Sequence, residues 1–313
     1  MLMLFYQIIN SLGESVRYAL FAVGFTLFFG VLDVIVFCVG DICVVSMFIL
    51  LSLFSLVKVI GLYEFLPIYL CLIITVVIGS LLTGFFGIII EGISVKPFEK
   101  LTTKTNPMMP LIATVALGII IRQSISLFYP QGRYPQNFPN FFPAKIVKLG
   151  SSFHIIFSDL IVLLIGIGVI IVVFFLVNRT KFGSSMRAIA QDKEAAMMMG
   201  INADRISVLT FFLVGLIMGI AGFLTGTYIG SVKFDMGLRD GIIGFSAAVV
   251  GGLGNVYGAI IGGLLFGIIE SLSIAFIPMG GAYKDIFCFT AVIISMIFRP
   301  KGILGEKTIW EKV

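Results

Sequence analysis

The chain has 313 residues, of which 59% are hydrophobic and only 12% are charged, and its mean hydropathy is +1.15. Because a soluble globular domain carries about 25% charged residues, this composition excludes an ordinary water-soluble enzyme. The formal net charge of +5 is explained by basic residues that flank membrane helices and contact anionic lipid headgroups. We therefore expect a protein that contacts membrane lipids and binds no nucleic acid.

Long apolar segments predict most of the secondary structure. A membrane helix needs about 20 residues to cross the hydrocarbon core, and residues 66–90 contain no Asp, Glu, Lys or Arg at all. In chain order the predicted membrane segments are 18–36, 42–62, 66–90, 107–128, 159–177, 206–229, 258–277 and 285–298. The sequence thus predicts an all-α fold, a polytopic membrane helix bundle with about eight transmembrane segments.

One further apolar segment, 242–252, is too short to cross a membrane. It runs into the sequence Gly251-Gly252-Leu253-Gly254-Asn255, a glycine-rich break whose backbone groups would lack hydrogen-bond partners in lipid. We expect a re-entrant or broken helix near 242–256 that is buried against other parts of the protein.

Basic residues are concentrated in a few connections, which marks these as cytoplasmic by the positive-inside rule. They are the connection 94–106, the loop 179–205 and the C-terminal tail. The loop 130–157 and the short loop 231–241 are then external, although Arg133, Lys145 and Lys148 weaken the contrast. The side of the N-terminus stays open, because 242–252 either re-enters or crosses.

Metal and nucleophilic chemistry have no support in the sequence. The chain has one histidine, His154, with no cysteine or carboxylate cluster beside it, and its four cysteines all fall in apolar segments. Cysteines in such segments typically pack as small hydrophobic core residues. We predict no metal site and no catalytic residue.

Glycines recur at intervals of four in the second half of the chain. Gly222 and Gly226 form one such pair, and Gly258 and Gly262 form another. Residues four apart share a helix face, and small residues there let membrane helices approach closely. The pattern indicates either ordinary helix packing or faces that line a moving core around a substrate path.

Charged residues at membrane depth must face protein or water. Asp33 and Asp41 bracket the end of the first apolar segment, and Asp41 is predicted at a helix start, as a cap or a cavity residue. Arg122 is expected to extend to the outer interface. Glu270 falls well inside a segment, where it makes either an interhelical hydrogen bond or a substrate contact. The sequence shows no series of acidic residues or histidines for a proton relay, which disfavours a secondary carrier.

The loop 179–205 carries the strongest functional signal. It consists mostly of strong helix formers, and Gly200 followed by Asn202 is a typical helix stop, so one short cytoplasmic helix is predicted. Its alanines and three methionines, among them Met198, form an exposed apolar patch of a kind that docks into a partner.

The order Glu194-Ala195-Ala196, three residues, then Gly200 resembles the EAA-x3-G coupling motif of ABC importer permeases. The stretches 245–263 and 299–305 are similar to the corresponding parts of branched-chain amino acid permeases of the LivH type, and so is 91–97. The resemblance covers most of the chain and is densest from Arg179 to Gly305.

One part of the chain departs from this family. Where the family usually reads Asn-Phe-Ala-His-Gly followed by Glu or Asp, this chain has Val36 in the first position, and only Phe37, Gly40 and Asp41 persist. If this break lines the pathway, the departure leaves the exact substrate open.

The resemblance implies one transmembrane permease domain over 1–313, with 179–205 as the cytoplasmic coupling loop. The implied contacts with an ATPase are Gly183, Arg187, Asp192, Glu194, Ala195, Ala196 and Gly200. The implied translocation path includes Phe37, Asp41, Phe245, Ser246, Asn255 and Glu270, while Gly222, Gly226, Gly258 and Gly262 pack helices.

The resemblance also implies an importer in the bacterial cytoplasmic (inner) membrane, with the C-terminus in the cytoplasm. Its partners would be a second, LivM-like permease subunit, two ATP-binding subunits and an external, periplasmic solute-binding protein. No Gly-x4-Gly-Lys-Ser/Thr occurs in this chain, so ATP and Mg would be bound by the partners and no cofactor by this chain. Branched-chain amino acids are the expected substrates. A urea or short-amide permease is the alternative within the family, and a carrier or channel acting alone is the alternative outside it.

Overall fold

The computed structural model describes residues 2–32, 34–61, 67–97, 108–139, 142, 146–148, 154–276 and 280–305. Asp33, Lys100, Lys104 and Lys145, which entered the predictions above, lie outside these residues. The helices are α1 (Leu2–Leu32), α2 (Val39–Ile60), α3 (Ile68–Ser94), α4 (Met108–Phe128), α5 (Phe157–Arg179), α6 (Lys181–Gln191), α7 (Lys193–Met198), α8 (Ala203–Ile229), α9 (Met236–Gly251), α10 (Val256–Phe276) and α11 (Gly280–Phe298). The short strands are β1 (Gln136–Asn137), β2 (Ile146–Lys148), β3 (His154–Ile156) and β4 (Ser231–Val232).

Seven of the described helices are long and apolar enough to cross a membrane. They are α1 from Ser11 onward, α2, α3, α4, α5, α8 and α10. The eighth predicted segment corresponds to α11, whose exposed apolar side chains include Ile293, Ile297 and Phe298. The predicted polytopic helix bundle is confirmed.

The predicted break near 242–256 is also confirmed. Helix α9 has 16 residues, which is shorter than each of the seven candidate spans, and it ends at Gly252, whose φ is +111°. Gly254 has a φ of +89°, and both angles favour glycine because a Cβ would be strained there. Helix α9 begins at Met236, earlier than predicted, because Arg239 and Asp240 are inside the helix and paired with other charges.

Helix α1 lies at the centre of the bundle, and α4 lies at its periphery. In the membrane-spanning stretch of α1, 83% of the residues are buried, against 17% for α4. The most extensive packing is between α1 and α10, followed by that between α3 and α8. Gly263 faces the backbone of Ala19, and Gly267 faces that of Ser15. Small residues thus allow the close approach of α1 and α10. Such packing is expected in lipid, because the apolar surroundings supply no hydrophobic drive and helices associate through close van der Waals contact instead.

The two loops predicted to share one side of the membrane lie together. Strand β1 in the long loop pairs antiparallel with β4, so that Gln136 is opposite Val232. Strands β2 and β3 form a second antiparallel pair, with Ile146 opposite Ile156. The buried ring of Phe138 continues this contact into the bundle, 6.0 Å from the ring of Phe54.

Candidate coupling and translocation sites

The loop 179–205 is helical up to the predicted stop at Gly200, but it forms two short helices, α6 and α7, rather than one. The chain breaks at Asp192, which has extended dihedral angles, and the Asp192 carboxylate accepts a hydrogen bond from the Ala195 N–H at 2.9 Å. Aspartate is a strong N-cap residue, and its capping bond competes with continuation of the helix. The result is a compact helical hairpin, which we call the coupling hairpin (Lys181–Met199).

Local hydrogen bonds fix the coupling hairpin to the end of α5. The Thr180 hydroxyl accepts a hydrogen bond from the Gly183 N–H at 3.3 Å, and the Arg187 guanidinium donates to the Val177 carbonyl. Gly183 lies so close to the Val177 backbone that a Cβ would not fit. Gly183 and Arg187 therefore position α6 within this chain.

The tip of the coupling hairpin presents apolar side chains to the surface. Ala196 is buried with Ile189 and Ala203 in a small apolar cluster. Glu194, Ala195, Met197, Met198 and Met199 are exposed, and Met198 is 86% exposed. Gly200 ends α7 with a φ of +86°, and its N–H donates to the Met197 carbonyl at 3.0 Å. The exposed row is suited to contact with another protein.

A cavity of about 870 Å³ joins the coupling hairpin to the interior. Its wall includes Asp192 from the hairpin, Leu32 at the end of α1, Phe245 and Ser246 from α9, and Lys301 from the tail. Two of the predicted path residues, Phe245 and Ser246, thus line a cavity that the coupling hairpin borders. The tail lies at the same end of the bundle as the hairpin.

Aromatic side chains lie beside this cavity. The ring of Phe245 is 5.3 Å from that of Phe37 and 5.7 Å from that of Phe25, measured between centroids. The Phe37 N–H donates to the Thr114 hydroxyl of α4 at 3.3 Å. Phe37 therefore connects the wall of the cavity to the start of α2 and to α4.

Asp41 and Arg122 form a pair inside the bundle. Asp41 is in the first turn of α2, as predicted, and Arg122 Nε is 3.0 Å from Asp41 Oδ1. The prediction that Arg122 extends to the outer interface was therefore wrong. It failed because the start of α2 brings the Asp41 carboxylate within reach of α4, which the spacing of residues in the sequence does not indicate.

Glu270 is fully buried and lies in a cluster of charges between α1, α9, α10 and α11. Its carboxylate accepts a hydrogen bond from the Tyr18 hydroxyl at 2.5 Å and pairs with Arg239 Nη2 at 3.3 Å and with Lys284. Arg239 also binds Asp285 at 2.7 Å. We call these five residues the Glu270 cluster. Glu270 thus makes the interhelical bond that was one of its two predicted roles.

Sequence reasoning missed most of this buried charge. Arg17, whose side chain is 3.9 Å from that of Asp240 and is buried, was omitted because the first segment was drawn from Tyr18. Arg239 and Asp240 were assigned to an external loop. The available signal was the run of helix-compatible residues from Met236, which continues into the apolar segment without a break.

Asn255 does not itself line the cavity. Its Oδ1 accepts a hydrogen bond from the Tyr257 N–H at 3.0 Å, and its Nδ2 donates to the Leu304 carbonyl at 2.9 Å. The Ile303 N–H donates to the Val250 carbonyl at 2.9 Å. Asn255 thus caps α10 and holds the tail, next to Leu253 and Gly254, which line the cavity. Its predicted place on the path stays a prediction.

The four glycines predicted to pack helices occupy different surroundings. Gly258 faces Gly251 and Gly262 faces the Ala247 carbonyl, which brings α9 and α10 together. Gly222 lies against Ser46 and Cys43 of α2. Gly226 faces the ring of Phe138 and so accommodates the loop 130–157 rather than a helix.

This architecture is that of a multi-pass membrane transport protein, and comparison with known proteins agrees. Residues 7–296 match the family described as branched-chain amino acid transport system / permease component. The chain is 30% identical to the high-affinity branched-chain amino acid transport system permease protein BraD of Pseudomonas aeruginosa, over 98% of this chain and 97% of BraD. It is 28% identical to the permease protein LivH of Escherichia coli K12 over the same shares of the two chains. No solved structure matches the chain significantly.

A more distant relative transports a different class of compound. The galactose/methyl galactoside import permease protein MglC of Haemophilus influenzae is 26% identical over 59% of this chain and 51% of MglC.

The family match covers most of the chain. The chain belongs to the family of permease components of branched-chain amino acid transport systems and is the membrane-spanning permease subunit of an ABC importer.

Proposed function

We propose that this permease moves leucine, isoleucine, valine or related amino acids that an external solute-binding protein delivers. It works with a second, LivM-like permease subunit and two ATP-binding subunits, which bind ATP and Mg and hydrolyse the ATP. The complex lies in the bacterial cytoplasmic membrane, with the coupling hairpin and the C-terminus in the cytoplasm. The names of BraD and LivH support the choice of substrate.

One observation carries the proposed mechanism: the coupling hairpin forms part of the wall of the 870 Å³ cavity. The same wall also includes Phe245 and Ser246 of α9. Because the hairpin is fixed to α5 through Arg187 and exposes its own tip, a push on the tip is transmitted to the bundle. We infer that closure of the ATPases moves the hairpin and changes the opening of this cavity.

Uptake by the whole complex in proteoliposomes tests the substrate class. We expect ATP-dependent accumulation of labelled leucine, isoleucine and valine, and no accumulation of urea or galactose. Uptake of urea in place of the amino acids would favour the short-amide alternative and reject this proposal. Uptake without the ATP-binding subunits would indicate a carrier that acts alone.

The variant Glu194→Arg tests the coupling hairpin. Glu194 is exposed at the start of α7, so its replacement should leave membrane insertion intact. Reversal of a charge in a protein interface costs enough to lower leucine uptake about tenfold or more. Asp204→Arg is the matched control, since Asp204 is also exposed in the first turn of a helix, and it should retain most uptake. Normal uptake by Glu194→Arg would reject the role of the hairpin.

A further inference from the structure

The pair Asp41–Arg122 differs from the Glu270 cluster because part of its hydrogen-bonding capacity is not used within the described part of the chain. Gly118 is the middle residue of α4, and its missing side chain leaves space for Asp41 Oδ2. The pair therefore joins the middle of the candidate membrane span α4 to the first turn of α2. Charged side chains at this depth are costly and typically mark a substrate or ion pathway.

The Asp41 carboxylate is buried but lacks a hydrogen bond. Its side chain is 5% exposed, and Oδ1 has no donor among the described residues. Arg122 Nε is close, at 3.0 Å, but its N–H donates to the Gly118 carbonyl at 3.2 Å. Asp41 Oδ1 is thus available to accept a hydrogen bond from a ligand.

The Arg122 guanidinium also has hydrogen-bond donors without an acceptor among the described residues. Nε is its donor in the bond to Gly118, and the described residues provide no acceptor for its Nη groups. The side chain is 17% exposed on α4, the least buried of the candidate spans. A guanidinium has five N–H donors in a planar fork that fits a carboxylate. Arg122 is therefore placed to receive a ligand carboxylate from the open side of α4.

We propose that Asp41 and Arg122 bind the charged groups of a zwitterionic α-amino acid as it crosses the membrane. Asp41 accepts hydrogen bonds from the ligand ammonium group, and Arg122 donates to its carboxylate. A ligand with both charges matches both members of the pair, whereas an uncharged ligand such as urea or a sugar matches neither. This site rests on the proposed function and specifies how the substrate class is recognised.

The surroundings of the pair fit a position along the path. Phe37, one helical turn before Asp41, bonds through its N–H to Thr114 of the same helix as Arg122. The ring of Phe37 contacts that of Phe245, which borders the cavity beside the coupling hairpin. Phe37 thus contacts both the helix that carries Arg122 and an aromatic ring that lines the cavity.

An apolar replacement of the whole pair provides the test. Where an ion pair is only structural, its replacement by apolar residues of similar size is often neutral or stabilising. The variant Asp41→Leu/Arg122→Met should therefore assemble with its partners, and its leucine uptake should fall about 10- to 100-fold, the loss expected from removing charged hydrogen bonds. Binding-protein-stimulated ATPase activity measures assembly. Wild-type uptake by this variant would overturn the proposal.

A second measurement does not depend on that variant. Ser126→Cys, one helical turn from Arg122 on α4, keeps both members of the pair. In the full complex its thiol should react with a water-soluble thiosulfonate, and saturating leucine with the binding protein should slow the reaction severalfold. A rate that leucine leaves unchanged would overturn the site. If the wild-type complex accumulates leucine and these tests fail, the site alone is wrong, whereas a wild-type complex that moves no leucine contradicts the proposed function itself.

Discussion

The molecule holds its buried charges in two contrasting ways. In the Glu270 cluster, each carboxylate meets at least one cation, and Glu270 itself has three partners. At the Asp41–Arg122 pair, Asp41 Oδ1 receives no hydrogen bond from the described residues. The cluster joins α1 to α9, α10 and α11, while the pair joins α2 to the peripheral α4.

This difference separates structural from functional charge. A buried polar network with its groups satisfied makes packing specific, whereas a partly satisfied group is costly unless a ligand or partner completes it. The Glu270 cluster therefore stabilises the arrangement of the central helices. On the binding site proposed above, the Asp41–Arg122 pair keeps a free acceptor for the substrate.

The largest effect on stability is expected from Glu270→Gln. This change removes the buried carboxylate shared by Lys284, whose side chain is 23% exposed, and Arg239, which is 41% exposed and still paired with Asp285. Loss of one partner from a buried ion pair costs about 3–5 kcal/mol, and the partial exposure of both cations places the expected cost at the lower end of this range. The purified complex should unfold at a clearly lower temperature in a thermal scan.

The matched control for this change is Asp285→Asn. Asp285 pairs with the same Arg239, but its side chain is 42% exposed, and an exposed pair contributes about 0–1 kcal/mol. Equal shifts in unfolding temperature for the two variants would contradict the distinction between the cluster's buried centre and its exposed edge.

A smaller effect on stability is expected where α1 packs against α10, the two helices that contribute Tyr18 and Glu270 to the Glu270 cluster. In Gly263→Ala, the new Cβ meets the backbone of Ala19 in α1, which cannot move freely, and overpacking costs about 1–3 kcal/mol. Gly168→Ala in α5 is the control, because no atom lies within 4 Å of the new Cβ. We expect the control to be neutral or slightly stabilising in the same thermal scan. A neutral Gly263→Ala would mean that α1 and α10 pack less closely than the structure shows.

The smallest effect is expected at Asn255, outside both charged sites. Asn255→Ala removes the cap of α10 and should destabilise the chain by about 1 kcal/mol. Asn255→Asp keeps the cap but loses the donor to Leu304, so it should mainly release the tail. Hydrogen exchange at the Ile303 and Leu304 amides measures this release, and unchanged protection in Asn255→Asp would reject the role of the amide.

The helix bundle could be predicted from the sequence because apolar length and glycine breaks are local signals. The break after α9 follows from Gly252 and Gly254, whose positive φ angles suit glycine. The split of the coupling hairpin at Asp192 was missed, because high average helix propensity conceals the effect of one capping side chain.

The charged sites could be predicted only in part. Asp41 and Glu270 are visible as isolated charges in apolar segments, but their partners come from distant parts of the chain. Arg122 is 81 residues from Asp41, and no pattern along the sequence pairs them. A sequence pattern ends an apolar segment at a charge such as Arg17 or Arg239, whereas pairing with Asp240 and with Asp285 lets the helices continue through these two residues.

The most direct test of this contrast is leucine uptake divided by the amount of assembled complex, measured for Asp41→Asn and Glu270→Gln side by side. We predict that Asp41→Asn lowers leucine uptake per assembled complex about tenfold, since a charged hydrogen bond is lost. It also lowers the amount of complex, because Arg122 loses its partner in a buried ion pair. Glu270→Gln should yield less complex, but with near-normal uptake per complex. The opposite pattern, with normal uptake per complex for Asp41→Asn and lost uptake for Glu270→Gln, would contradict the assignment of substrate contact to Asp41 and of structure to Glu270.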